Sequence, residues 1–179
     1  MELLFIRHGP TEWNEAGRIQ GRRDIPLAPA TRKALATRRL PDRTGGSFRW
    51  VSSPLVRARQ TAEALGAEQV ETEPRLTEMD WGEWEGRSLP SLREELGEAM
   101  RANEARGLDF ETPAGDSPRR VQARLRPWLR EIGESERPVV VVSHKGVGRA
   151  LLALAIGWDM KAKAPVRLRW EHALSLIHI

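Results

Sequence analysis

The stretch Pro138-Val139-Val140-Val141-Val142-Ser143 is the clearest β-strand in the sequence. Valine is branched at Cβ and stiff at χ1, so four valines in succession fit a pleated sheet far better than a helix. A continuous apolar run is typical of a strand that is buried on both faces. Leu3-Leu4-Phe5-Ile6 is a second run of this kind. Together the two runs predict a sheet that is covered by helices on both sides.

Other stretches predict the rest of the fold. Further strands are expected at Arg49–Ser53, before Pro54, and more weakly at Gln69–Thr72 and Ala173–Ile177. Apolar spacing predicts helices over Thr31–Leu40, Leu55–Leu65, Ser91–Arg106, Ser117–Ile132 and Gly146–Ile156. Strands that alternate with helices favour an α/β fold, a three-layer α/β/α sandwich with a mostly parallel central sheet. Residues 1–179 are expected to form a single domain.

The composition excludes several classes of site and partner. The chain has no cysteine, which excludes disulfides, thiolate metal sites and cysteine nucleophiles. No apolar run is long enough to cross a bilayer and no signal peptide is recognisable, so we expect a cytoplasmic protein with no membrane partner. The net charge is +4, but the basic residues are spread along the chain. We therefore expect no nucleic-acid partner, and the sequence leaves open whether the chain forms a homodimer.

Chemically active side chains follow directly after three of the predicted strands. Leu3–Ile6 runs into Arg7-His8-Gly9, and the valine strand runs into His144-Lys145-Gly146. The strand that ends at Ser53 is followed by Arg57, in the first turn of the next helix. Ligands of open α/β sheets bind outside the carboxyl ends of the strands. If these three strands are neighbours, two imidazoles and several guanidinium groups meet at one edge of the sheet.

Such a cluster suits phosphoryl transfer. Guanidinium groups bind the equatorial oxygens of a phosphoryl group through paired hydrogen bonds and keep their charge at any working pH. A neutral imidazole beneath the phosphorus can attack it in line and form a phosphohistidine. A second imidazole can donate a hydrogen bond to an equatorial oxygen. Either histidine alone is more often a structural residue, so the prediction depends on the combination.

A series of motifs extends this argument over nearly the whole chain. In order they are Arg7-His8-Gly9-Pro10-Thr11-Glu12-Trp13-Asn14, Gln20-Gly21, Asp24–Leu27, Ser52–Ala62, Leu76–Gly86, Pro113–Ser117 and Val141–His144. In content and order they resemble the histidine phosphatase superfamily, in its phosphoglycerate-mutase-like branch. The acid-bearing segment Asp80–Gly86 resembles that of small-molecule phosphatases, including the α-ribazole phosphatases. The resemblance implies a phosphoglycerate-mutase-like fold that uses no metal and no other cofactor.

The resemblance also implies a catalytic role for five residues. His8 is expected to be the nucleophile. Arg7, Arg57 and His144 are expected to hold the phosphoryl oxygens. Glu78 is expected to donate a proton to the leaving oxygen and then to act as the base for the attacking water.

Other positions are less firmly assigned. Contacts to phosphate or substrate are also expected from Asn14, Gln20, Gly21 and Lys145. The family usually has glycine at the position of Lys145, which is therefore expected to affect specificity rather than chemistry. Nothing physical in the sequence separates Glu78 from three rival acids, Asp80, Glu83 and Glu85. Arg59 lies two positions from Arg57, on another side of the helix, and is expected to be structural.

The leading functional hypothesis is a metal-independent phosphatase, a phosphoric monoester hydrolase of the histidine acid phosphatase type. Its expected substrate is a small phosphorylated metabolite, which it hydrolyses through a phosphohistidine on His8. The first alternative is a phosphoglycerate mutase, although family mutases are longer and close their site against water. The second is a non-catalytic module that binds a phosphorylated ligand, for which His8 would be dispensable.

Overall fold

The computed structural model describes residues 2–38, 48–135 and 137–166, together with the backbone of residues 174–177. Its strands are β1 (Glu2–Arg7), β2 (Arg49–Ser52), β3 (Val70–Thr72), β4 (Val139–Ser143) and β5 (Leu174–Ile177). Its α-helices are α1 (Glu12–Glu15), α2 (Pro29–Ala36), α3 (Val56–Ala64), α4 (Leu89–Glu104), α5 (Pro118–Gly133) and α6 (Lys145–Ile156). Short 3₁₀ helices lie at Pro74–Leu76, Gly82–Trp84 and Gly107–Asp109.

The five strands form one sheet in the order β3-β2-β4-β1-β5. The valine strand β4 pairs in parallel with both β1 and β2, and β5 pairs antiparallel with β1 at the edge. Arg7 lies beside Ser143, and Ser52 lies beside Val142, so the three central strands end at the same level. The strands predicted to deliver the reactive side chains are therefore neighbours, and the mostly parallel sheet is confirmed.

Helices cover both faces of the sheet, as the uninterrupted apolar runs predict. Val139 and Val141 pack with α5 and α6 on one face, whereas Val140 and Val142 pack with α3 on the other. Helix α2 packs against α3. Each strand residue points to the face opposite that of its neighbour, so a strand buried on both sides needs an apolar residue at every position. The three-layer α/β/α architecture is thus confirmed.

Most of the predicted helices differ from the observed ones only at their ends. Helix α2 begins at Pro29 and ends at Ala36, four residues before the predicted end at Leu40, which lies outside the described residues. Proline fits the first turn of a helix because its missing N–H would have no partner there. The Ser117 side chain caps α5, accepting from the Arg120 N–H. No helix in the described ranges is long and apolar enough to span a membrane.

Two helical features differ from the sequence-based expectation. Helix α4 begins at Leu89, two residues before the predicted start at Ser91, because the Ser88 side chain caps it by accepting from the Ser91 N–H. It is interrupted at Gly97, whose φ of 50° is accessible to glycine at little cost. Helix α1 has only four residues and carries too little periodicity to be recognised from the sequence. It begins four residues after His8, the predicted nucleophile.

Candidate active site

The predicted reactive residues meet in one cavity at the carboxyl ends of β1, β2 and β4. The cavity has a volume of about 460 Å³. Its lining includes Arg7, His8, Asn14, Gln20, Gly21, Arg57, Glu78 and Lys145. His144 lies fully buried beside it, with its ring centroid 5.2 Å from that of His8. All nine residues predicted from the sequence therefore lie in or next to this cavity.

The backbone around His8 fixes which ring nitrogen faces the cavity. Its Nδ1 lies 2.7 Å from the Gly9 carbonyl oxygen, which can only accept, so Nδ1 carries the proton and Nε2 has a free lone pair. The His8 N–H donates to the Ser143 carbonyl at 2.8 Å, and the Gly9 N–H donates to Thr61 Oγ1 at 3.0 Å. Burial, reinforced by the nearby Arg57 charge, lowers the pKa of His8 to about 3. The imidazole is therefore neutral at any ordinary pH.

His144 is the N-cap residue of α6, and its ring contacts a serine that follows β2. Its Nε2 lies 2.8 Å from Ser53 Oγ. Its Nδ1 has no hydrogen-bond partner among the described residues, although the atom is buried. Burial, and then the charge of Arg57, lower the pKa of His144 well below its ordinary value. The two histidines are thus both neutral in the folded protein.

Two arginines supply positive charge beside His8. Arg57 is fully buried and donates to the carbonyl oxygens of Gly21, at 2.8 Å, and Arg23, at 2.7 Å. The buried Nε of Arg57 and that of Arg7 have no partner in the described structure. Burial lowers the pKa of both guanidinium groups, and the charge of Glu78 opposes this shift. Buried N–H donors without a partner are costly, which a bound oxyanion would relieve.

The loop that orients Arg57 is held by Glu85. The Glu85 carboxylate accepts from the Arg22 N–H at 2.6 Å and pairs with Arg23 at 3.3 Å. Gly21 has a φ of 51°, and a Cβ at this position would overlap Glu85 Oε1. Gly21 is therefore required by the backbone, and Glu85 acts as an anchor for the loop.

Glu78 is the one of the four candidate acids that lines the cavity. Its Oε1 accepts from the Met79 N–H at 2.9 Å, and its Oε2 accepts from the Gly146 N–H at 3.1 Å. Asp80 instead accepts from the Gly82 N–H and pairs with Arg22 at 3.4 Å. Glu83 is exposed to solvent. The geometry thus separates Glu78 from its rivals, which the sequence alone could not do.

Asn14 and Gln20 both use their side-chain oxygens within the protein. Asn14 Oδ1 accepts from the Thr11 N–H and hydroxyl as part of the cap of α1, at 3.1 and 3.2 Å. The Thr11 hydroxyl lies 2.9 Å from Gln20 Oε1. The two amide NH₂ groups have no partner among the described residues. They are the parts of these side chains that are left to contact a ligand.

The sequence analysis missed Arg124, a residue that supports Glu78. Its Nη2 donates to the Thr77 carbonyl at 2.6 Å and to the Glu78 carbonyl at 3.2 Å. Arg124 follows Val121 by three positions and precedes Trp128 by four, so it lies on the apolar side of α5. A basic residue on an apolar helix face is a signal that could have identified it.

A second cavity of about 540 Å³ lies between α4 and residues 111–115. Trp84, Leu96 and Met100 line it, together with Arg106 and Arg120. None of the predicted reactive residues is among its lining. This cavity therefore does not hold the predicted chemistry.

The cavity at the carboxyl ends of β1, β2 and β4 combines a neutral imidazole, the fully buried guanidinium of Arg57, the partly buried guanidinium of Arg7 and a carboxyl group. This set can bind a phosphoryl dianion, attack its phosphorus and exchange a proton with the leaving oxygen. Among the residues that the structure describes, no three His, Asp or Glu side chains are placed to hold a metal ion.

Comparison with known proteins agrees with this arrangement. The model of the histidine phosphatase superfamily (branch 1) matches residues 3–179. The probable phosphoglycerate mutase GpmB of Proteus mirabilis is 36% identical over 180 residues, which cover 94% of this chain and 81% of that protein. Two solved structures are also similar. A mycobacterial glucosyl-3-phosphoglycerate phosphatase in complex with VO3 is 31% identical with a TM-score of 0.75, covering 89% of this chain and 84% of that chain.

The second solved structure is a phosphoglycerate mutase from Thermus thermophilus. It is 34% identical with a TM-score of 0.71, covering 89% of this chain and 86% of that chain. These similarities confirm the phosphoglycerate-mutase-like fold that the motifs imply. The chain belongs to the histidine phosphatase superfamily.

Proposed function

We propose that this chain is a phosphatase that hydrolyses a small phosphomonoester through a phosphohistidine on His8, without a metal ion. The observation that carries the proposal is the fixed tautomer of His8. Its Nδ1 donates to the Gly9 carbonyl at 2.7 Å, which leaves Nε2 unprotonated beside the guanidinium groups of Arg57 and Arg7. A residue with a merely structural role would gain nothing from a free lone pair in a cationic cavity.

In the first step, the Nε2 lone pair of His8 forms a bond to phosphorus as the ester P–O bond breaks. Arg7, Arg57 and His144 stabilise the charge on the equatorial oxygens. Glu78 gives its proton to the leaving oxygen, which departs as an alcohol. Both carboxyl oxygens of Glu78 accept an N–H donor, and each has a second lone pair that can carry this proton.

In the second step, water attacks the phosphohistidine. The Glu78 carboxylate takes a proton from the water as its oxygen bonds to phosphorus. The P–N bond breaks, inorganic phosphate leaves, and His8 recovers its neutral form with Nε2 free. The acid of the first step is thus the base of the second, so one carboxyl group is sufficient for both.

A phosphoglycerate mutase is the second candidate, because relatives and a solved structure that resemble this chain carry that name. A mutase must keep water away from the phosphohistidine until the phosphoryl group returns to the substrate. Arg18, Pro90 and Arg93 at the cavity are exposed to solvent. An open mouth admits water, which favours hydrolysis.

The experiment is a panel of phosphorylated metabolites incubated with the protein in EDTA. We expect phosphate release that is lost in His8→Ala. With 3-phosphoglycerate and a trace of the bisphosphate, phosphate release should exceed formation of the 2-phospho isomer. Faster isomer formation would favour the mutase, and wild-type turnover by His8→Ala would contradict both candidates.

A further inference from the structure

Ser53 directly follows β2 and is fully buried. Its N–H donates to the Val142 carbonyl at 3.0 Å, which fixes its backbone against the neighbouring strand β4. Its Oγ accepts from the Leu55 N–H at 3.3 Å and lies 2.8 Å from His144 Nε2. Among the residues that the structure describes, Ser53 Oγ has no further hydrogen-bond partner. The only acceptor in that part of the chain for its hydroxyl hydrogen is therefore His144 Nε2.

The contact between Ser53 and His144 can form in two ways, because a neutral imidazole carries its one proton on either nitrogen. If Nε2 carries the proton, it donates to Ser53 Oγ. The buried hydroxyl hydrogen of Ser53 and the buried Nδ1 lone pair of His144 are then both left without a partner in the described structure. If Nδ1 carries the proton, the hydroxyl donates to Nε2, and the Nδ1–H alone is unpaired. Unpaired buried polar groups are costly, so the second arrangement is the more stable one.

The group of His144 that remains unpaired matches an anion. The Nε atoms of Arg7 and Arg57 are likewise buried donors without a partner in the described ranges. Because Ser53 occupies Nε2, Nδ1 is the nitrogen of His144 that is left to bind a phosphoryl oxygen. Such an oxygen has lone pairs and no hydrogen, so it can accept from an Nδ1–H but is repelled by an Nδ1 lone pair. The tautomer with the fewest unpaired groups in the free protein is therefore also the one that can bind the phosphoryl group.

We propose that Ser53 is a positioning residue, whose hydroxyl donates to His144 Nε2 and so keeps the proton of His144 on Nδ1. The role of this proton in holding a phosphoryl oxygen rests on the proposed function, whereas the tautomer does not depend on catalysis. His8 and His144 then carry their protons on the same ring nitrogen but present opposite groups to the substrate. His8 presents a lone pair to the phosphorus, and His144 presents an N–H to an oxygen.

Nitrogen NMR of the protein with ¹⁵N-labelled histidine measures the tautomer at neutral pH, because a protonated ring nitrogen and one with a lone pair have well separated shifts. The chain has four histidines, and the spectrum of His144→Phe assigns the signals of His144. The test variant is Ser53→Ala. Ser143→Ala is the matched control, because Ser143 is equally buried but its hydroxyl donates to the Leu76 carbonyl, at 2.7 Å.

We expect the proton of His144 on Nδ1 in the wild type and in Ser143→Ala, and both tautomers in Ser53→Ala. Calorimetry should show that Ser53→Ala binds inorganic phosphate about tenfold more weakly than the wild type, as expected when a hydrogen bond to a charged group is lost. In the His144→Phe background, Ser53→Ala should cause no further loss of affinity, because the two residues act as a unit.

A proton on Nε2 in the wild type would overturn the inference, and this measurement needs no variant. A tautomer or a phosphate affinity that Ser53→Ala leaves unchanged would overturn it as well, as would additive losses in the double variant. His8-dependent phosphate release alongside any of these results would leave the proposed function standing. The expected tautomer in a protein that forms no phosphohistidine would instead contradict the proposed function alone.

Discussion

The carboxyl group of Glu78 lies against the backbone of Gly146. The Gly146 N–H donates to Glu78 Oε2 at 3.1 Å, and a Cβ at Gly146 would overlap Glu78 Oε1. Gly146 lies in the first turn of α6, whose N–H groups have no partner within the helix and are free to bind an acceptor. The position of the proposed general acid therefore depends on the absence of a side chain at position 146.

The substitution Gly146→Ala should displace Glu78 without harming the fold. Alanine favours helix over glycine by up to about 1 kcal/mol, so the melting temperature should not fall greatly. A misplaced catalytic group can cost about 10²-fold in rate, and we expect a loss of kcat of this order for alkyl phosphates. Gly133→Ala is the control, because no atom lies within 4 Å of a Cβ at that position. Equal kcat values for the two variants would argue against the constraint on Glu78.

Replacing Glu78 by glutamine tests its role as the proton donor. General acid catalysis contributes about 10²- to 10⁴-fold, so Glu78→Gln should slow the hydrolysis of alkyl phosphates by this factor. The loss should be much smaller in the first step with p-nitrophenyl phosphate, whose leaving group departs without a proton. Burst kinetics resolve that step. Glu83→Gln, at an exposed rival acid, should leave both rates unchanged. An equal loss with both leaving groups would contradict the assignment.

Local patterns were sufficient to predict the strands and most helices. The valine run of β4 strongly favours a buried strand, because side chains branched at Cβ disfavour helix and the run has no polar positions. The placement of the motif residues at one edge of the sheet then follows from where the strands end. The last predicted strand, Ala173–Ile177, is observed over Leu174–Ile177, and Ala173 lies outside the described residues.

The remaining features depend on contacts between residues that are distant in sequence. Glu78 differs from Asp80 and Glu85 only through partners such as Gly146 and Arg22, which no local pattern brings together. The double use of Asn14, as helix cap and cavity wall, depends on the four-residue helix α1. Such a short helix is stabilised by its surroundings rather than by its own sequence.

A lysine amine should not be able to replace the guanidinium group of Arg57. Its two bonds to the carbonyls of Gly21 and Arg23 hold it flat against the loop, and a lysine cannot form both in the same plane. We expect Arg57→Lys to weaken the binding of inorganic phosphate about tenfold or more, as measured by calorimetry, since hydrogen bonds to charged groups contribute about 1.5–3 kcal/mol. Arg59→Lys, exposed on the same helix, should bind as the wild type does. Wild-type affinity in Arg57→Lys would contradict its role.

The pKa of His8 predicts how stability depends on pH. The folded protein keeps His8 neutral down to a pH of about 3, whereas the unfolded chain protonates it near 6.5. Unfolding therefore takes up a proton between these values, and the free energy of unfolding falls as the pH falls through this window. His8→Gln lacks this group. Its free energy of unfolding should therefore fall less steeply with falling pH than that of the wild type, by up to about 1.4 kcal/mol per pH unit. Urea unfolding at several pH values between 4 and 7 measures both slopes, and identical slopes would show that His8 titrates normally.

The most direct test of the central claim is to trap the phosphorylated enzyme. The wild-type protein is mixed with a phosphomonoester in EDTA, quenched in alkali within one turnover, and its peptides are analysed by mass spectrometry. We predict a phosphoryl group on His8, stable in alkali and lost in acid, that is absent from His8→Ala. A wild-type enzyme that turns over substrate with the phosphoryl group on another residue, or with no phosphoryl-enzyme at all, would contradict the account.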